Sequence, residues 1–267
     1  MISSLTEMPA ETVRKLKGVF FDIDDTFTSS GKILPAAFKA LWNLKESGLM
    51  VVPVTGRPAG WCDHIARMWP VDAVVGENGA FYFWYDTLEN RLKRRFLDSL
   101  EIRKANRCRL DRLKEEILSM VPGAATASDQ AYREVDLAID YCEDVIPLDS
   151  TSVETICSIF KRHGAECKVS SIHVNGWFGR YDKLAMISIF LRERMGLEFA
   201  LCRDNFVFCG DSPNDEPLFE AFPCSVGVRN VLRFTGCMQR LPTYITNEES
   251  GKGFAELAAL LLKLRKQ

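Results

Sequence analysis

Two carboxylates, Asp22 and Asp24, close an apolar run in the stretch Val19-Phe20-Phe21-Asp22-Ile23-Asp24-Asp25-Thr26. Side chains at i and i+2 of a strand share a face. If the strand frays past Asp22, both acids hang over its C-terminal edge, where open parallel sheets place their ligands. Two anions a few ångströms apart repel unless a cation or a shared proton separates them. A hard divalent ion with oxygen ligands, Mg2+, relieves that repulsion. The same residues also fit a strand end followed by an Asp-rich turn, since Asp is common in turns.

Two further strand ends carry polar groups. The apolar run Leu49–Val54, broken only by Pro53, leads into Thr55-Gly56-Arg57-Pro58, a hydroxyl and a glycine ahead of a helix. Helix N-termini offer unpaired N–H groups to anions, although Thr55 also fits a plain helix cap. The short run Phe206–Cys209 ends in Gly210-Asp211-Ser212-Pro213-Asn214-Asp215. A parallel sheet aligns the C-terminal ends of its strands, so groups far apart in sequence can converge. Asp22, Asp24, Asp211 and Asp215 then meet a hydroxyl and an amide around one point. Such a cluster needs Mg2+ and a lysine or arginine.

The elements that position these groups follow from periodicity. Residues 1–15 read as a polar lead-in, and Gly18–Ile23 as the first strand. Pro35 suits a helix start, and Phe38, Leu41 and Leu44 give that helix an apolar stripe ending at Gly48. Trp61, Ile65 and Met68 share a face of the next helix, and Val71–Val75 is a third strand, giving a βαβαβ half-sheet. Asn78-Gly79 marks a turn ahead of hairpin arms Phe81–Tyr85 and Lys93–Leu97. The character then changes. A charged helix over 98–120, a strand Tyr132–Tyr141 with one wet face, a helix over 150–163 and a strand Glu166–Val174 form an α+β block. The βα rhythm returns with a helix Tyr181–Met195, strands Phe206–Cys209, Ser225–Val228 and Tyr244–Thr246, a helix over Leu218–Phe222 and a closing helix Gly253–Leu264. The expected fold is α/β: a doubly wound parallel sheet over 1–82 and 181–267, with an inserted α+β domain at 83–180.

Composition narrows the class. The chain has 267 residues and a formal net charge of -2, so no global field draws nucleic acid or an anionic membrane. Its 9 cysteines include no Cys-x-x-Cys pair, which argues for reduced thiols. Three scattered histidines make no zinc pattern. No stretch has the length and apolarity of a spanning helix, and the N-terminus lacks a signal-peptide core. These readings point to the cytoplasm.

The motif set resembles the haloacid dehalogenase superfamily, whose members are mostly phosphatases. Its DxDx(T/V) motif matches Asp22–Thr26, its strand ending in Ser/Thr matches Val54-Thr55-Gly56-Arg57, and its GDSxND motif matches Gly210–Asp215. Its lysine, some twenty to thirty residues before the last motif, matches Lys183. An insert between the second and third motifs resembles the type IIB, or Cof-like, subfamily, as does Asn78-Gly79-Ala80. That group includes sucrose-phosphate and trehalose-phosphate phosphatases and phosphomannomutase. The third motif departs from the usual Ser-Lys-Gly, reading Asp182-Lys183-Leu184, and Leu184 reduces backbone freedom there.

The resemblance implies roles. Asp22 is the nucleophile, Asp24 the general acid and base, and Lys183 a catalytic and phosphate-binding cation. Thr55, Gly56, Lys183 and Asn214 hold the phosphoryl group. Mg2+ takes the Asp22 carboxylate, the Asp24 backbone carbonyl and Asp211. Asp215 binds a metal water or holds Lys183, and Arg57 pairs with a carboxylate. Arg133, Glu134, His173, Asn175 and Trp177 of the insert are candidates for sugar contacts. The implied activity is Mg2+-dependent hydrolysis of a sugar phosphate or similar small phosphorylated substrate, by a monomer or homodimer with no nucleic-acid or membrane partner. A phosphomutase and a non-catalytic binding relative are the alternatives.

Overall fold

The computed structural model describes residues 2–170 and 172–266. Six parallel strands form the main sheet, in the order Ser3–Ser4, Tyr244–Ile245, Cys224–Gly227, Phe206–Gly210, Gly18–Phe21 and Met50–Pro53. Both faces are covered, which explains why the central strands read as unbroken apolar runs. Val19, Phe21, Val207 and Cys209 pack with Leu41 and Leu44 of the helix Pro35–Glu46 and with Phe254 and Leu257 of the helix Ser250–Arg265. The alternate residues Phe20, Phe206 and Phe208 pack on the opposite face with Met186, Ile187 and Phe190 of the helix Lys183–Met195. The pleat thus sends one set of side chains to each helical layer.

Residues 1–15 are more than a lead-in. Ser3–Ser4 forms the edge strand beside Tyr244–Ile245, Ala10–Lys15 is helical, and Leu5, Met8 and Val13 are buried in the core. Leu5, Met8 and Val13, spaced unevenly among polar residues, supply too little periodicity to show this from sequence. The third strand also differs. Val74–Gly76 touches the main sheet through the single bridge Val54–Val75 and pairs antiparallel with Phe81–Asp86, which pairs with Arg91–Phe96. The reason is local: Glu77, Asn78 and Gly79 all take positive φ (42°, 56° and 104°) and reverse the chain.

A second sheet is antiparallel, in the order Glu166–Val169, His173–Trp177, Leu137–Asp140 and Ala125–Thr126. The single strand expected over Glu166–Val174 is instead two strands, Glu166–Val169 and His173–Trp177, paired antiparallel; residue 171 lies outside the described residues. The strand expected over Tyr132–Tyr141 shortens to Leu137–Asp140 and has no wet face; all four residues are buried. The helices Leu100–Met120 and Ser150–Arg162 pack on one face through Leu110, Leu113, Ile156 and Phe160, against Ile139 and Val174. Gly176 permits that approach, since a Cβ there would lie 2.1 Å from a Phe160 ring carbon. The other face carries Asp140, His173 and Asn175 and looks onto the C-terminal edge of the main sheet.

Candidate active site

Two neighbouring strands carry the acids. Phe21 and Cys209 are register partners, so Asp22 and the Gly210-Asp211 turn leave the sheet side by side. The Asp22 N–H continues the ladder by donating to Cys209 O (2.9 Å). Asp215 folds back beneath Gly210, where a Cβ would lie only 2.4 Å from its Oδ2. That oxygen accepts the Asp211 N–H (3.1 Å), and Oδ1 accepts from Lys183 Nζ (2.9 Å). Lys183 Nζ also donates to Asp22 Oδ1 (2.7 Å). Asp22, Asp211, Asp215 and Lys183 are all buried.

Carboxylate oxygens of Asp22, Asp211 and Asp215 lie within 4.8 Å of one another. Burial pushes Asp22 up to about 7, against the pull of Lys183 and with help from Asp215 and Asp24. Burial and the neighbouring acids likewise push Asp211 well above the usual carboxylate range. Three buried carboxylates thus face one lysine. A cation bound by hard oxygen donors fits that deficit. Thr26 Oγ1 donates to Asp211 Oδ1 (2.8 Å), and Asn230 Nδ2 donates to Asp211 Oδ2 (3.1 Å) and to Asp25 O (3.0 Å), fixing the carboxylate from both sides.

Asp24 reaches the same cleft by a different route from the one expected. The strand stops at Phe21 and residues 24–27 form a turn, so the pleat does not set the direction of Asp24. Its carboxylate is forked by Arg57, with Nε donating to Oδ2 (2.9 Å) and Nη2 to Oδ1 (2.8 Å). Arg57 also lies over the Trp61 ring, 4.4 Å from its centre. Thr55, fully buried, accepts the Arg57 N–H at its Oγ1 (3.0 Å), which shapes the turn. Gly56 passes beneath Asn78, whose Oδ1 would be 3.1 Å from a Cβ there.

Lys183 opens its helix, and Asp182 is the cap, its Oδ1 accepting the Ala185 N–H (2.8 Å). Leu184 does not disturb that cap. The glycine that this helix start requires is instead Gly79, at φ +104°, where a Cβ would lie 2.1 Å from Asp182 O. Asn214 lies on the single turn Pro213–Asp215 and faces the cleft.

The second layer is tied down over this site. Glu77 is fully buried, and its carboxylate accepts four backbone N–H groups: Ala59 and Glu134 at Oε1 (both 2.9 Å), Val135 and Asp136 at Oε2 (2.7 and 3.1 Å). Arg133 is consumed by structure, pairing with Asp129 (2.9 Å) and Asp136 (3.0 Å) and donating to Gly56 O (3.1 Å). Glu134 turns away to Arg103 (2.9 Å), and Trp177 stacks on Tyr181 (5.5 Å between centres). Of the insert residues singled out in the sequence, Arg133, His173 and Asn175 line the main cleft, which has a volume of about 550 Å³. The sequence reading missed Glu77 and Asn230, and took Asn78 as a turn residue and part of the subfamily resemblance without a place in the cleft. Asn230 alone had a usable signal, a polar residue just past the strand Cys224–Gly227.

Residues 19–116 match the model of the haloacid dehalogenase-like hydrolase family. No curated protein matches the sequence. Among solved structures, a Thermoplasma acidophilum protein is similar at 17% identity and TM-score 0.69, covering 93% of this chain and 99% of that one. A HAD/COF-like hydrolase from Plasmodium vivax is 16% identical with TM-score 0.67, over 96% and 100%. A sucrose-phosphatase from Synechocystis, solved with sucrose and phosphate, is 17% identical with TM-score 0.58, over 92% and 98%.

Proposed function

We propose that this haloacid dehalogenase-like hydrolase is an Mg2+-dependent phosphatase acting on the monoester of a sugar or a similar small metabolite. The observation that carries the reading is the buried group of Asp22, Asp211, Asp215 and Lys183 at the mouth of a roomy polar cleft. Asp22 attacks the phosphorus in line, the ester oxygen leaves, and an aspartyl-phosphate forms. Asp24 gives a proton to the leaving alkoxide and then takes one from the water that cleaves the intermediate. Thr55, the Gly56 N–H, Asn214 and Lys183 hold the phosphoryl oxygens, the positioning and charge work that dominates phosphoryl transfer. Burial alone would lower the pKa of Lys183, but its two carboxylates, Asp215 and Asp22, outweigh it, raise the pKa and keep the lysine protonated. Asp22, the Asp24 carbonyl and Asp211 would hold Mg2+, which supplies charge neutralisation between nucleophile and phosphate.

Residues 83–180 act as a cap that covers the cleft, with His173 and Asn175 turned towards the leaving group. The nearness in fold to a sucrose-phosphatase and to a trehalose-6-phosphate phosphatase related protein supports a sugar ester. Phosphate release from hexose phosphates and an aryl phosphate, with Mg2+ or with EDTA, tests the reading. Release should need Mg2+ and disappear in Asp22→Asn. A folded protein that releases phosphate from none of these esters would overturn it.

A further inference from the structure

Most cations lining the cleft are already paired. Lys183 is held by Asp22 and Asp215, Arg57 by Asp24, Arg133 by Asp129 and Asp136, and Arg233 by Glu249. Lys168 also lines the cleft and makes no ion pair among the described residues. It stands on the strand Glu166–Val169 opposite Asn175, on the sheet face turned to the site. An ammonium brought half out of water without a counter-charge is unfavourable unless a ligand supplies one.

A second cavity, of about 360 Å³, adjoins the first; Asn78, Lys168, Lys183 and Asn214 line both. It adds Arg180, exposed at the rim and without an ion pair among the described residues, and a wall made by the stacked Trp177 and Tyr181 rings. Asp182 also lines it, but its carboxylate is spent on the helix cap. Glu166 stands two residues from Lys168 at the exposed rim, where water solvates it. Lys183 and Asn214, which line the phosphoryl site, also line this cavity. An anion received there is within one small-molecule length of the phosphoryl centre.

We infer that the leaving group of the substrate carries a second anionic group, a carboxylate or a second phosphate, received by Lys168 and Arg180 in this side cavity. The inference rests on the phosphatase reading and narrows its substrate class. Charge-assisted contacts of this kind are worth roughly a tenfold or greater preference.

The test compares kcat/KM for glucose 6-phosphate, 6-phosphogluconate and fructose 1,6-bisphosphate, with an aryl phosphate as the reference ester. Wild type should favour at least one of the two diacids over glucose 6-phosphate by about tenfold, and which one it favours separates carboxylate from phosphate. In the Lys168→Met/Arg180→Met variant the ratio should collapse towards one, and Lys168→Arg should restore part of it. Hydrolysis of all these esters with no diacid preference, or a preference that survives the double substitution, would overturn the inference and leave the phosphatase reading standing. No release from any ester, the aryl phosphate included, would sink the phosphatase reading and the inference with it.

Discussion

In the proposed Mg2+ site, Asp211 is held in place by its neighbours. Both its oxygens accept hydrogen bonds, from Thr26 and Asn230, so its orientation is set before any ion arrives. Outer partners of this kind typically contribute about tenfold to a hundredfold in metal affinity. Asn230→Ala should therefore weaken Mg2+ binding by about tenfold or more, read by calorimetry, while the protein stays folded. His173 gives a pH prediction at the same scale. Burial, and then the charge of Arg133, lower its pKa from the ordinary 6.5, against Glu143, Asp129 and Asp140. The unfolded chain then binds the proton more readily than the native one. The contribution of His173 to stability is full above pH 6.5 and is lost as pH falls below it. Urea unfolding across pH 5 to 8 should show this slope, and His173→Asn should flatten it.

At the scale of elements, the turn Glu77–Gly79 joins the main-sheet side of the molecule to the helix that presents Lys183. Three successive positive φ values reverse the chain, and Gly79 lies against the backbone of Asp182, one residue before that lysine. A side chain at 79 meets both a left-handed φ and a backbone oxygen that cannot move cheaply. Gly79→Ala should cost about 2 kcal/mol or more of stability. Because the strain is transmitted to the helix start, phosphate release should fall more than the loss of folded protein explains. Denaturation midpoints and turnover measured on the same sample separate the two effects.

At the scale of the molecule, the two layers meet around buried charge. Glu77 takes one N–H from Ala59 at the start of the helix Ala59–Met68, which packs on the strands Val74–Gly76 and Phe81–Asp86, and three from Glu134, Val135 and Asp136 ahead of the strand Leu137–Asp140. Removing its carboxylate leaves four donors without partners, each costing about 1–3 kcal/mol where water cannot enter. Glu77→Ala should lose at least about 3 kcal/mol in urea unfolding. Limited proteolysis should then cut first in the stretch 129–136. A variant as stable as wild type would mean that water or a neighbouring side chain replaces the carboxylate.

Much of this was legible beforehand because local chemistry is local. Strand ends such as Phe21-Asp22 and Gly210-Asp211 announce themselves by an apolar run stopping at acids, and a parallel sheet must bring such ends together. The α/β class with its parallel central sheet follows from that. Tertiary structure decided what depends on partners distant in the chain. No pattern shows that Arg57 forks Asp24, that Arg133 is spent on Asp129 and Asp136, or that Asn230 braces Asp211. Nor does any pattern show that Val74–Gly76 pairs antiparallel with the hairpin, because three left-handed residues, not hydrophobic period, set its direction. Sequence spacing determines which groups can gather at one edge; the competition among charges once they are buried together determines which remain free to meet a substrate.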